Sequence, residues 1–195
     1  MTTHLVSPFA SGFSRNFPRL ASFVAAFALV FLFPLANVAQ DKAAQKPSPA
    51  ATATTTFDGV TVTVSYAQPA KKGREIFGQL VPFGEVWRTG ANEATTITVS
   101  GGDVEFSGAK LKAGTYALFT IPNKDKWTII VNSEAKQWGA YNYKQDKDVL
   151  RVEAAPSSVK EPVERFTIGF DKAASGATLT LTWDTTKIAV PMRKS

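Results

Sequence analysis

The stretch "GVTVTVSY", residues 59–66, alternates with a period of two. Val60, Val62, Val64 and Tyr66 fall on one side and Thr61, Thr63 and Ser65 on the other. Successive side chains of an extended chain point to opposite faces, so this is a strand with one face on a core and one toward water. Outward from it the same rhythm recurs: "ATTITV" (94–99), "DVEF" (103–106), "TYALFTI" (115–121), "WTIIVN" (127–132), "DVLRVEA" (148–154), "VERFTIGF" (163–170), "ATLTLTW" (177–183) and "KIAVPM" (187–192). These runs are rich in Thr, Val, Ile and aromatic residues, which suit a pleated, half-buried surface. Turn residues separate them, as in the runs beginning at Ser100, Lys112, Pro122 and Lys172. Short strands with tight turns and no long amphipathic helix predict an all-β fold. The expected form is an antiparallel two-sheet β-sandwich, jelly-roll or immunoglobulin-like. Pro162 and Pro191 belong on edges or at strand ends.

Two segments break the rhythm and are expected to be long irregular loops. One is 68–92, "QPAKKGREIFGQLVPFGEVWRTGAN"; the other is 133–147, "SEAKQWGAYNYKQDK", with one helical turn from Ser133 closed by Gly139. Long loops in a compact sandwich are uncommon and often functional.

Upstream, the chain changes character. Residues 1–39 combine basic Arg15 and Arg19, no acidic residue, and the apolar run "LASFVAAFALVFLFPLA" (20–36), with small residues before a cut after Ala39. As a helix this run of about 17 residues reaches about 25 Å, short of a hydrocarbon core of about 30 Å. It reads as a cleavable signal peptide, so the expected destination is the periplasm or the exterior. The alternative is an uncleaved anchor in the inner membrane; otherwise the membrane is met only through the signal. Residues 40–56, without a large apolar side chain, read as a disordered linker. One domain is expected over 57–195, long enough to bury a full core.

Composition closes several chemistries. The chain has no cysteine, and its single histidine is His4, inside the signal. That argues against Ser-His-Asp and Cys-His catalysis, the usual zinc and copper sites, and haem or iron–sulfur ligation. No cofactor and no metal site is expected, although oxygen ligation of Ca²⁺ by Asp146 and Asp148 is a lesser alternative. Without Arg15 and Arg19 the 22 Lys and Arg fall to 20 against 16 Asp and Glu, a net +4. These charges are scattered rather than striped, so nucleic acid is not an expected partner.

The blocks "KGREIFGQLVPFGEVWRTGANEATTIT", "KAGTYALFTIP", "WTIIVN", "QWGAYNY" and "DVLRV" occur in that order. They resemble the family named domain of unknown function 2911, and WRTGAN is the most specific of them. The resemblance implies an exported β-rich envelope domain and carries over no reaction.

The residues themselves suggest a site. Trp87, Trp138, Tyr141 and Tyr143 are aromatics outside the cleanest strands, accompanied by Arg74, Arg88 and Asn92 and by the carboxylates Glu85 and Glu93. Aromatic faces beside planar donors suit polar, ring-shaped or anionic ligands, such as a glycan or peptidoglycan fragment. The same residues also suit a structural corner, with Trp87 as a plug and Arg88 paired to Glu85 or Asp148. Trp127 and Trp183, in strand patterns, are expected in the core. Two functions therefore stand. The first is a non-catalytic envelope binding module whose two irregular loops form one concave patch, with a glycan, peptidoglycan or envelope-protein ligand. The second is a glycosidase-like hydrolase working through Glu85 and Glu93.

Overall fold

The computed structural model describes residues 48–195. They form ten strands: β1 (Ala50–Phe57), β2 (Val60–Ala67), β3 (Thr95–Ser100), β4 (Val104–Phe106), β5 (Ala109–Leu111), β6 (Gly114–Ile121), β7 (Trp127–Asn132), β8 (Asp148–Ala154), β9 (Ser157–Lys172) and β10 (Ala177–Lys194). A single 3₁₀ turn, Gln145–Lys147, precedes β8. The strands make two antiparallel sheets, ordered β1-β2-β3-β6-β7-β8 and β5-β4-β10-β9, which face each other as a β-sandwich. The expected leader and residues 40–47 of the expected linker lie outside the described residues.

Alternation places the core as the periodicity requires. Val60, Val62 and Val64 of β2 are fully buried, while Thr61, Thr63 and Ser65 are not. They meet Ile97 and Val99 of β3, Leu118 of β6, and Phe166, Leu179, Leu181 and Val190 of the opposite sheet. Trp127 and Trp183 lie in this core, each 2% exposed. The back of the larger sheet is also covered. Ala117, Phe119 and Ile130 carry a second apolar cluster, over which loop residues Val86, Ala140 and Tyr143 fold. This is why "WTIIVN" is apolar almost throughout: β7 is roofed on both faces.

The structure corrects the expected chain map in four places. The linker of 40–56 is not a tether beyond residue 49, because Ala50–Phe57 pairs with β2 along its whole length. No large side chain drives this. Ladder hydrogen bonds do, helped by the hydroxyl pairs Thr54–Thr63 and Thr56–Thr61 at 3.2 and 3.0 Å. Asp58 and Gly59, at φ 47° and 78°, make the two-residue hairpin turn that returns the chain with the right twist. The second correction is β5, absent from the expected runs. Ser107 and Gly108, at φ 46° and 88°, turn it back onto β4 in the same way.

Third, the runs at 177–183 and 187–192 are one continuous strand, with register shifts near Trp183 and Asp184. Its first part pairs with β9 and its end pairs with β4. Pro162 lies in β9, which is an edge strand. Pro191 follows the last β9 pair and precedes the first β4 pair, where its missing N–H costs no ladder bond. Fourth, the helical turn expected from Ser133 to Gly139 is irregular chain. Asn132 Oδ1 accepts the Glu134 N–H at 3.0 Å and competes with a helical start.

Candidate functional site

The first loop is docked at Trp87. Its N–H and C=O exchange hydrogen bonds with Thr120 of β6 at 2.8 and 2.9 Å, a one-residue extension of the sheet. The ring enters an aromatic nest. It stacks on Trp183 at 5.9 Å and 17°, and meets Phe166 at 4.9 Å, Phe77 at 6.0 Å and Trp127 at 6.4 Å edge-on. Nε1–H donates to the Gly90 carbonyl at 3.1 Å, so the indole's polar group is satisfied.

Immediately after it the backbone is strained. Thr89 is fully buried and left-handed at φ 54°, which costs a β-branched residue about 1–3 kcal/mol. Buried threonines hold it there. Thr89 Oγ1 donates to Thr120 Oγ1 at 3.2 Å, and Thr95 Oγ1 donates to the Thr89 carbonyl at 2.7 Å. The tight turn so fixed sets the directions of Trp87 and Arg88.

Arg88 is half-buried and has no ion pair with Glu85 or Asp148. Its Nε is buried without a hydrogen-bond partner. Its Nη1 passes beside Gly139 of the second loop, where an added Cβ would lie only 2.8 Å away. Gly139 also takes φ 65°, a backbone conformation that favours glycine. The two loops are sewn together at this seam. Ala94 N–H donates to the Gln137 carbonyl at 3.0 Å, and Gly139 N–H donates to the Asn92 carbonyl at 3.2 Å.

The loops thus lie side by side, but the expected single concave patch is divided. A cleft of about 320 Å³ is walled by Arg74, Trp87 and Arg88, together with Lys72, Leu80 and Trp183. Asn92 and Glu93 line a separate hollow of about 540 Å³ against the start of β1 and the end of β2. Glu93 and Trp138, joined by a backbone bridge, line a third of about 420 Å³. Asn92, at φ 61°, donates its amide to the Ser48 carbonyl at 3.1 Å, so that donor fastens the chain ahead of β1. Glu85 is exposed and is no part of the walls that Glu93 shares. Tyr141 projects outward, 80% exposed.

Arg74 is exposed yet held. Nε donates to the Lys71 carbonyl at 3.0 Å and Nη2 to the Ala70 carbonyl at 2.6 Å, which bracket the guanidinium at the cleft. The cleft's walls carry three cations and no carboxylate. Two acids nearby are engaged. Glu164 accepts the Lys72 N–H at 2.9 Å, and Asp184 pairs with Lys71 Nζ at 2.6 Å.

Tyr143 belongs elsewhere. Its ring packs edge-on against Phe119 at 5.2 Å, and its hydroxyl donates to Asp148 Oδ2 at 2.6 Å. Arg151 Nε reaches the same oxygen at 2.7 Å, and Asn132 Nδ2 reaches Oδ1 at 2.8 Å. Burial, reinforced by the hydrogen bond to Asp148, raises the Tyr143 hydroxyl above its usual range. Both oxygens of Asp148 are occupied by side-chain donors, and among the described residues no cluster of three acidic side chains could hold a metal.

Sequence reasoning missed Lys72 and Trp183 as walls of the cleft, and the buried Thr89, Thr95 and Thr120. Lys72 was legible only as part of "KKGR". The threonines look like ordinary strand residues until the turn is built.

Residues 48–192 match the family described as protein of unknown function (DUF2911), a span that takes in the whole sandwich except the last two residues of β10. No curated protein and no solved structure matches the chain.

Proposed function

The chain belongs to DUF2911, a family of proteins of unknown function, and from that premise we propose that it is a non-catalytic binding module of the cell envelope. The site is the cleft beside Trp87, and the ligand is a polar, ring-bearing molecule such as a glycan or peptidoglycan fragment. The observation that carries this reading is the pairing of an aromatic wall with an arginine whose buried Nε has no protein partner. A buried donor without an acceptor costs about 1–3 kcal/mol, which contacts within the protein leave uncompensated. A volume of about 320 Å³ lies at the lower end of small-molecule sites and suits one ring rather than an extended polymer. Export rests on the basic, then apolar, start of the sequence. N-terminal sequencing of the protein outside the cytoplasm, finding Gln40 first, would support it; an intact Met1 would favour an anchor.

The binding test is a panel of soluble muropeptides and monosaccharides titrated by calorimetry, alongside a peptidoglycan pull-down. Wild type should bind at least one member. Arg88→Ala should lose that binding while melting close to wild type. Absence of binding across the panel would overturn the reading. No observation favours hydrolysis by Glu85 and Glu93, which do not share a hollow.

A further inference from the structure

We infer that the Trp87 cleft selects an oxyanion, a carboxylate or phosphate carried on a single ring, and that Arg74 is its anchor. This rests on the reading of the cleft as a binding site and adds the charge of what it takes. Lys72, Arg74 and Arg88 line the walls and no Asp or Glu does, so the lining of the cleft is cationic. The adjacent acids do not neutralise it from within. Asp184 is paired with Lys71, and Glu164, which accepts the Lys72 N–H, is not among the cleft's walls.

Arg74 is the group best prepared to meet an anion. Its bonds to the Ala70 and Lys71 carbonyls leave Nη1 and the second proton of Nη2 without a protein acceptor. Because the side chain is already bracketed, binding would cost little of its rotamer freedom. A planar guanidinium is suited to a two-pronged hydrogen bond with carboxylate or phosphate oxygens. Trp87 with Leu80, Val81 and Ala70 then supplies the apolar side against which a ring face can lie.

The test uses the full chain and three probes that share a ring: glucose, glucuronate and glucose 6-phosphate. Binding is followed by the indole N–H resonances of the four tryptophans and by calorimetry. Glucuronate or glucose 6-phosphate should bind about tenfold to a hundredfold more tightly than glucose, as expected for one charge-assisted contact. Whichever of the two binds more tightly identifies the oxyanion. That preference should shrink with added salt and vanish in Arg74→Gln. Arg74 also braces a turn, so Lys72→Gln, which leaves the brace intact, should weaken the preference independently. Equal binding of glucose and both anions would overturn the inference while leaving the binding reading in place. Failure of all three, together with failure of the muropeptide panel, would remove both. A charge preference unchanged in both variants would place the oxyanion elsewhere and also overturn the inference.

Discussion

Arg88 and Arg151 hold opposite positions in the economy of this molecule. Around Arg151 the polar groups close on one another: Nε binds Asp148, Nη2 binds the Tyr143 hydroxyl at 2.8 Å, and Asn132 completes the carboxylate's shell. Asn132 is itself fully used, donating also to the Lys144 carbonyl and accepting from Glu134. Around Arg88 the reverse holds, for its buried Nε meets nothing although Trp87, one residue earlier, is satisfied completely. A network that closes on itself explains its own presence through stability. A buried donor left without an acceptor, on a residue that lines a cleft, does not, and that contrast directs attention to the WRTGAN corner rather than to the tyrosine cluster.

The contrast can be broken or sharpened by substitution. Trp87→Ala should have the largest effect, removing a ring at the centre of four aromatic contacts and costing about 3 kcal/mol. At roughly 2–8 °C per kcal/mol, a thermal melt would register it plainly. A near-normal melt would mean that Trp87 is not an anchor. Asp148→Ala comes next, at about 1–3 kcal/mol, because it strands Asn132, Tyr143 and Arg151 donors around a carboxylate that is only 7% exposed. Urea unfolding measures it, and an unchanged midpoint would deny the closed network its structural role. Arg88→Ala should cost about 1 kcal/mol or less, since it breaks no bond within the protein. A collapse in stability there would erase the contrast.

The smallest effect is a pH dependence. Because the folded state raises the Tyr143 hydroxyl's pKa, it retains that proton above the unfolded value near 10. The resulting stability is fully present below about pH 10 and is lost as pH rises through the higher folded value. Unfolding midpoints between about pH 9 and 11 should therefore fall more steeply for wild type than for Tyr143→Phe. Parallel curves would show that the hydroxyl's environment contributes nothing.

The sandwich was legible because burial in a sheet has a period of two, and β2, β3 and β8 write that period directly. The strands that escaped, β1 and β5, carry only one large apolar side chain each, Phe57 and Leu111. β1 is Ala and Thr up to Phe57, and its evidence lay in the Asp58-Gly59 turn rather than in hydropathy. The site was legible only as a set of residue types. Trp87, Arg88 and Arg74 do converge on one cleft, whereas Asn92, Glu93, Trp138 and Tyr143 are dispersed by hydrogen bonds that no spacing encodes. Arg88's expected partner Asp148 is taken by Arg151, three residues away on the same strand. Local competition of that kind is decided by geometry, not by composition.

Strand β10 also imposes an order of events on folding. The hairpins β1-β2, β4-β5 and β9-β10 can each form from neighbouring sequence. The pairing of Val104–Phe106 with residues 192–194 cannot, for it joins segments separated by most of the domain. Until that closure the β4-β5 hairpin has no sheet to join, and the apolar side chains of Val104, Phe106 and Leu111 have only one wall to lean on. During synthesis the smaller sheet must therefore wait for its own central strand, which makes its assembly a slow, non-local step and leaves strand edges exposed in the interval.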